Sequence, residues 1–332
     1  MNSKQRFEQL FREGKMEGGF LFRPILMHFA ARYIGKTYRE FASDYRVLAE
    51  SNLRCLEDFR MDAVGLISDP YREASAFGAK VTFPEDSVPQ CLEILVKTED
   101  DIHRLKIPDV YKSERTRDRI NGARVLNKEV GSEVPVIGWV EGHLAEACDL
   151  AGVNEILTKM MLEPDFVKRL IDKVNGTAKD FAKAQIEAGC DIIGIGDAIC
   201  SQISAEDYRE FVKEKHHELF DFIHGKGARI KLHICGNITH LLSDIKELHP
   251  DIVDIDHMVD MEKAYELLGT EIVRCGNLDP VSVIQQLEAS AVKERVRSLC
   301  KKEKGRRYVL SGGCEITVNT PIENLRAMRD AC

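Results

Sequence analysis

His233, Ile234 and Cys235 make an H-x-C unit, and Cys314 follows 79 positions after Cys235 in the run Gly312-Gly313-Cys314-Glu315. Imidazole nitrogen and thiolate sulfur are donors that suit Zn²⁺. Three of them leave a tetrahedral ion one exchangeable position, the mark of a catalytic rather than a structural site. Side chains two apart on a strand point the same way, so His233 and Cys235 can address one ion. Gly236 and Gly276 follow Cys235 and Cys275, and Gly312 and Gly313 precede Cys314, so the backbone can turn sharply around an ion. Taken alone, an H-x-C unit is more often a pair of ordinary core residues. Asp256 is the first candidate for a fourth ligand and Cys275 the second, either able to exchange with substrate.

Short apolar runs must carry these residues. Strand candidates are Asp62–Ile67, Pro135–Val140, Asp191–Ile195, Arg229–His233, Ile252–Ile255, Glu271–Cys275 and Tyr308–Ser311. Amphipathic helix candidates lie between them, at 116–129, 165–188, 205–224, 238–248, 261–268, 289–302 and 322–331. Apolar strands alternating with helices indicate buried parallel strands joined by βαβ connections. No Gly-rich dinucleotide-binding turn follows the first strand, which favours a closed (β/α)₈ TIM barrel over an open doubly wound sheet. The expected organisation is one domain spanning 1–332, with an N-terminal helical segment at 1–58 and the barrel at 59–332.

A barrel gathers functional groups at the C-terminal ends of its strands. Polar residues recur there: Ser68-Asp69, Glu141, His143, Asp197, His233, Cys235, Asn237, Asp256, His257, Cys275, Asn277, Cys314 and Glu315. Glu141, His143 and Asp197 are candidates for substrate contact or acid catalysis, or for orienting His233 from behind. Asn237 and Asn277 are expected to tie down local turns.

Composition excludes other classes. The chain is 44% hydrophobic and 31% charged, with 47 basic against 55 acidic residues, a net charge of −8. That balance argues against a nucleic-acid or anionic-membrane surface. The N-terminal nineteen residues are polar and helical in pattern rather than a signal peptide. The longest apolar stretch, 20–34, is broken by Arg23, Pro24, His28 and Arg32, so no membrane span is expected. Ten cysteines without an export signal read as reduced thiols in a cytoplasmic protein.

Several longer runs resemble the uroporphyrinogen decarboxylase-like superfamily: LHICGN (232–237), DIVDIDHMVDMEKA (251–264), CGNLDP (275–280) and SGGCEITVNTPIENLRAM (311–328). The likeness extends through 38–79 and so covers nearly the whole chain. Its H-x-C…C pattern is similar to that of the zinc-dependent, corrinoid-protein-dependent methyltransferases. The resemblance implies a barrel with an N-terminal helical extension, Zn²⁺ on His233, Cys235 and Cys314, a corrinoid protein as partner, and room for a homodimer. It selects Cys314 over Cys275. The decarboxylase's arginine-rich stretch has its counterpart in His28-Phe-Ala-Ala-Arg32-Tyr33, which lacks the first arginine. Asp69 matches the decarboxylase's central aspartate, and pocket lining or helix capping is its neutral assignment.

Two chemical directions follow from the resemblance. One moves methyl from a methylcorrinoid to a thiol of the coenzyme M type. The other moves it from a small methyl donor, such as a phenyl methyl ether or a methylamine, to cob(I)alamin. The spacing Asp207-x27-Cys235-x39-Cys275 resembles methyltransferase I components of O-demethylases and favours the second. Asp207 itself reads as a solvated first-turn acid, a family mark rather than a ligand. A metal-free decarboxylase ranks third, and a zinc or corrinoid store is the non-enzymatic alternative.

Overall fold

The structure, a computed structural model, describes residues 1–14 and 19–331. Eight parallel strands curl around one axis: β1 Leu21–Phe22, β2 Val64–Gly65, β3 Val136–Glu141, β4 Ile192–Gly196, β5 Arg229–His233, β6 Ile252–Ile255, β7 Val273–Leu278 and β8 Tyr308–Gly312. Their hydrogen-bonded order runs β1-β8-β7-β6-β5-β4-β3-β2. Between the two ends of that order, the Asp62 amide donates to the Phe22 carbonyl at 2.9 Å. The Phe22 amide donates to Asp62 Oδ2 at 2.8 Å. The fold is the (β/α)₈ type expected.

One boundary needs correction. β1 lies inside the segment 1–58 assigned to helices, because two residues followed by Arg23 and Pro24 are too short a run to register as a strand. The rest of that segment is helical, at Ser3–Glu13, His28–Tyr33, Tyr38–Ser43 and Tyr45–Phe59. Residues 15–18, within the expected N-terminal helical stretch, lie outside the described residues. The 205–224 candidate is broken by a π-helical turn at Tyr208–Val212, and 238–248 contracts to Leu242–Lys246.

Alternation along the strands sorts side chains into two sets. Phe22, Val64, Leu66, Val140, Ile193, Ile195, Leu232, Val253, Ile255 and Leu310 pack outward against the helices. Leu21, Ala63, Ile137, Ile192, Ile252, Val273, Cys275 and Val309 fill the interior together with Phe7 and Leu10. Those last two sit three apart on helix Ser3–Glu13 and close the N-terminal end of the barrel. The helix starts cleanly because Asn2 accepts the Gln5 amide, and Gly14 at φ +72° ends it. Higher in the interior Trp139 lies flat on β4, where a Cβ at Gly194 would fall 2.3 Å from its ring. Among the described residues eight cysteines are free thiols. Cys300 is disulfide-bonded, against the reading of all ten as reduced.

Candidate metal centre

β5 ends at His233, whose ring points into the barrel two positions above the buried Lys231. Gly236, at φ +92°, then turns the chain and leaves Cys235 beside the imidazole. His233 Nε2 stands 3.0 Å from Cys235 Sγ and 3.8 Å from Cys314 Sγ, and the two sulfurs are 3.3 Å apart. A zinc ion with bonds of about 2.0–2.3 Å to such donors separates them by about 3.5–3.8 Å. The set therefore fits the ion after shifts of a few tenths of an ångström. Cys314 reaches the centre because Gly313 presses against the turn that follows β6. A Cβ there would lie 2.4 Å from the His257 amide nitrogen and 3.0 Å from the Asp256 carbonyl carbon. Gly313→Ala is expected to push the Cys314 loop outward and destabilise the chain by about 1–3 kcal/mol. Thermal unfolding together with zinc content checks this.

Behind the imidazole, Asp254 Oδ2 bonds His233 Nδ1 at 2.7 Å and also holds Lys231 Nζ. Burial alone would strip the proton from His233. Asp254 and Cys314 outweigh it and lift the ring to about 9 when no metal is bound. A carboxylate on the far ring nitrogen fixes tautomer and orientation for a metal ligand. Asp254 was not among the sequence candidates, although a signal existed: Lys231 and Asp254 are opposite charges inside apolar strands that pair with each other. Asp254→Asn is expected to weaken zinc binding about 10–100-fold, read by competition with a chromophoric chelator.

The two candidate fourth ligands are placed differently. Asp256 accepts the Gly236 amide at 3.0 Å and the Met258 amide at 3.1 Å, so its carboxylate holds the turn around Cys235. Cys275 is buried in the interior apolar layer with Ile252 and Val309, below the cavity. Asp207 accepts the Ser204 hydroxyl at 2.7 Å in an exposed helix start, as its solvated reading implied. Asn237 accepts the Thr239 amide at 3.1 Å, and Asn277 donates to the Val259 carbonyl at 2.8 Å, each securing a strand-end turn.

A cavity of about 180 Å³ opens beside the three donors. Ile25, Met27, Ile67, Pro70 and Trp139 give it an apolar wall, and Asp69, Glu141 and Glu315 supply carboxylates. Arg115 grips Asp69 in a fork, Nη1 to Oδ1 at 3.1 Å and Nη2 to Oδ2 at 2.6 Å. Burial would raise the Asp69 carboxyl, but Arg115 prevails and holds it down to about 2. Asp69 also accepts the Tyr71 amide in the turn before helix Arg72–Phe77, whose N-cap Tyr71 makes no side-chain cap bond, so it lines the cavity without capping that helix. Glu141 accepts Arg72 Nη2 at 2.8 Å, yet burial and the adjacent Glu73 push its carboxyl upward.

His143 and Asp197 are elsewhere. With His216 they form a fully buried group behind the barrel wall, their ligand-type atoms within 4.8 Å of one another. Asp197 accepts the Ala145 amide at 2.8 Å and bonds His216 Nε2 at 3.1 Å, so it caps helix His143–Ala151. His143 Nε2 bonds Asn175 Oδ1 at 3.0 Å. Neither lines the cavity or touches His233.

The family profile for uroporphyrinogen decarboxylase (URO-D) matches residues 20–332. The chain belongs to the uroporphyrinogen decarboxylase family. It is 27% identical over 317 residues to a uroporphyrinogen decarboxylase of Prochlorococcus marinus, covering 90% of each chain. It is 26% identical over 243 residues to a methylcobamide:CoM methyltransferase of Methanosarcina barkeri, covering 72% of this chain and 67% of that one. Its fold matches a methyltransferase from Methanosarcina mazei with a TM-score of 0.91 at 21% identity, over 100% of this chain and 98% of the other. The relatives it resembles thus include both decarboxylases and methyltransferases. Arg32, left from the decarboxylase-like stretch, points away from the cavity and bonds Asn319. Among the described residues no helix is long and apolar enough to cross a membrane.

Proposed function

We propose that the chain is a zinc-dependent methyltransferase that moves a methyl group from a methoxylated aromatic compound to the reduced cobalt of a corrinoid protein. The observation that carries this reading is the convergence of His233, Cys235 and Cys314 on one side of a small apolar cavity at the barrel's mouth. The methylcobamide enzyme among its relatives supports a corrinoid partner. Zinc, when bound, supplies a Lewis acid that stabilises negative charge developing on the ether oxygen.

The chain's own groups do the rest. Trp139, Ile25 and Ile67 offer flat apolar surface for an aromatic ring and keep water from the reacting atoms. Asp254 holds the His233 ring in its ligating orientation. Glu141, buried at the cavity wall with its carboxyl pushed upward, is placed to hold the proton that the leaving oxygen needs. Decarboxylation of a tetrapyrrole fits poorly. Arg72 and Arg115, which could otherwise receive its carboxylates, are already committed to Glu141 and Asp69.

Metal analysis combined with spectroscopic titration of cob(I)alamin against methoxyaromatics, methylamines and thiols tests the reading. The expected result is about one zinc per chain and cobalt methylation from a methoxyaromatic. Turnover with a thiol acceptor alone would reverse the direction to the coenzyme M type. Zinc-free protein with unchanged activity would overturn the reading.

A further inference from the structure

Glu141 belongs to a larger buried group. Glu73 and Glu146 are each 2% exposed, Arg72 is fully buried, and Asp149 is partly exposed. Glu146 and Asp149 sit three apart on helix His143–Ala151 and so share a face. Helix Arg72–Phe77 brings Arg72 and Glu73, and the end of β3 brings Glu141. The Glu141 amide donates to Glu73 Oε1 at 2.9 Å, and Arg72 Nε stands 3.6 Å from Glu73 Oε2.

Beyond these contacts the group is underpaired. Both oxygens of Glu146, Glu73 Oε2 and Asp149 Oδ2 are buried without a hydrogen-bond partner. Helices Arg72–Phe77 and His143–Ala151 pack together, and Glu146 and Asp149 lie near enough to Glu73, Glu141 and Arg72 to feel their charges, so four carboxylates share one guanidinium. The neighbouring Arg115 is taken by Asp69, and Tyr71 adds no positive charge. An ionised carboxylate without partners in such a place costs several kcal/mol and takes up a proton instead. Carboxylates that share a site share protons as a set. One member, Glu141, lines the cavity, and another, Asp149, is the one residue of the four that is partly exposed.

Ether demethylation consumes one proton. The methyl carbon leaves oxygen, whose bonding pair stays behind; the new carbon–cobalt bond uses the pair on the reduced cobalt; the oxygen then needs H⁺ to depart as a phenol. Resting on the function proposed above, we infer that Glu73, Glu141, Glu146 and Asp149 form a proton store that hands one proton per turnover to the leaving oxygen through Glu141. The store refills from solvent through Asp149.

Two measurements on the full chain test this. Infrared spectra at pH 7 should contain a protonated-carboxyl C=O band that shifts in D₂O and weakens in Glu146→Gln. In rapid methyl transfer to cob(I)alamin, Glu141→Gln should slow an unactivated methoxyaromatic about 10²–10⁴-fold with zinc content and KM unchanged. The same variant should lose far less with a nitro-substituted ether, whose phenolate departs without a proton, and Glu141→Asp should recover part of the rate. Identical bands in wild type and Glu146→Gln would overturn the store. Equal losses with both ethers would overturn the hand-over. If the wild-type chain demethylates no methoxyaromatic, the hand-over falls with the function it rests on, while the band still decides the store.

Discussion

His233→Ala is expected to abolish stoichiometric zinc binding and to lower methyl transfer by about 10³-fold. Lewis-acid stabilisation of a leaving oxygen is worth several kcal/mol, and each 1.4 kcal/mol or so is a factor of ten. The two sulfurs that remain are one donor short of the three that hold an ion with one open position, and Asp256 would have to share oxygens already bonded to the Gly236 and Met258 amides to replace the imidazole. Substituting Asp254 should act more mildly, since the imidazole remains and only its orientation loosens. Zinc content by atomic absorption, alongside the cobalt-methylation rate, separates the two variants. Full zinc occupancy in His233→Ala would refute the assignment.

A second large effect is expected from Arg115→Met. Its guanidinium forks onto Asp69, and the pair is buried, with side-chain exposures of 9% and 0%. Removing one member of a buried pair leaves an uncompensated charge and costs about 3–5 kcal/mol. The Ser68 hydroxyl and Tyr71 amide stay on Asp69, so the lower end of that range applies. The pH dependence has a definite sign. Asp69 is held down to about 2 in the folded chain, against about 3.9 when unfolded. Its stabilisation is therefore complete above pH about 4 and is lost as pH falls from there toward 2. The stability gap between wild type and Arg115→Met in urea should narrow over that window. A gap that stays constant from pH 7 to pH 3 would count against the pairing.

Strand positions were legible because parallel strands in this fold are apolar on both faces, and β5 and β6 lie where the pattern placed them. What the pattern could not supply was the fine phase of each strand end. Glu141 and His233 continue the inward alternation and meet at the cavity. Asp197 comes one residue after the inward Gly196, and His143 already begins a helix, so both fall behind the wall. Cys275 faces inward as well, but one layer too deep, in register with Asp254 rather than level with the donors. Proximity to a strand's end marks a neighbourhood, and a single-residue step decides the side. β1 escaped notice for another reason: two residues have no period. Arg115 escaped because it approaches Asp69 from a helix, and helix-to-loop contacts leave no local trace in sequence.

Phe7 and Leu10 close the floor of the barrel, which bears on traffic through it. On the function proposed above, a shut floor leaves metal, methyl donor and product one doorway, the mouth to which a corrinoid partner would also present its cobalt. A docked partner stops that doorway. The donor must then board before the partner arrives, the demethylated product must wait until it leaves, and metal exchange is confined to the intervals between. Steady-state kinetics should therefore show a compulsory order, with excess corrinoid protein inhibiting by trapping enzyme whose cavity is empty.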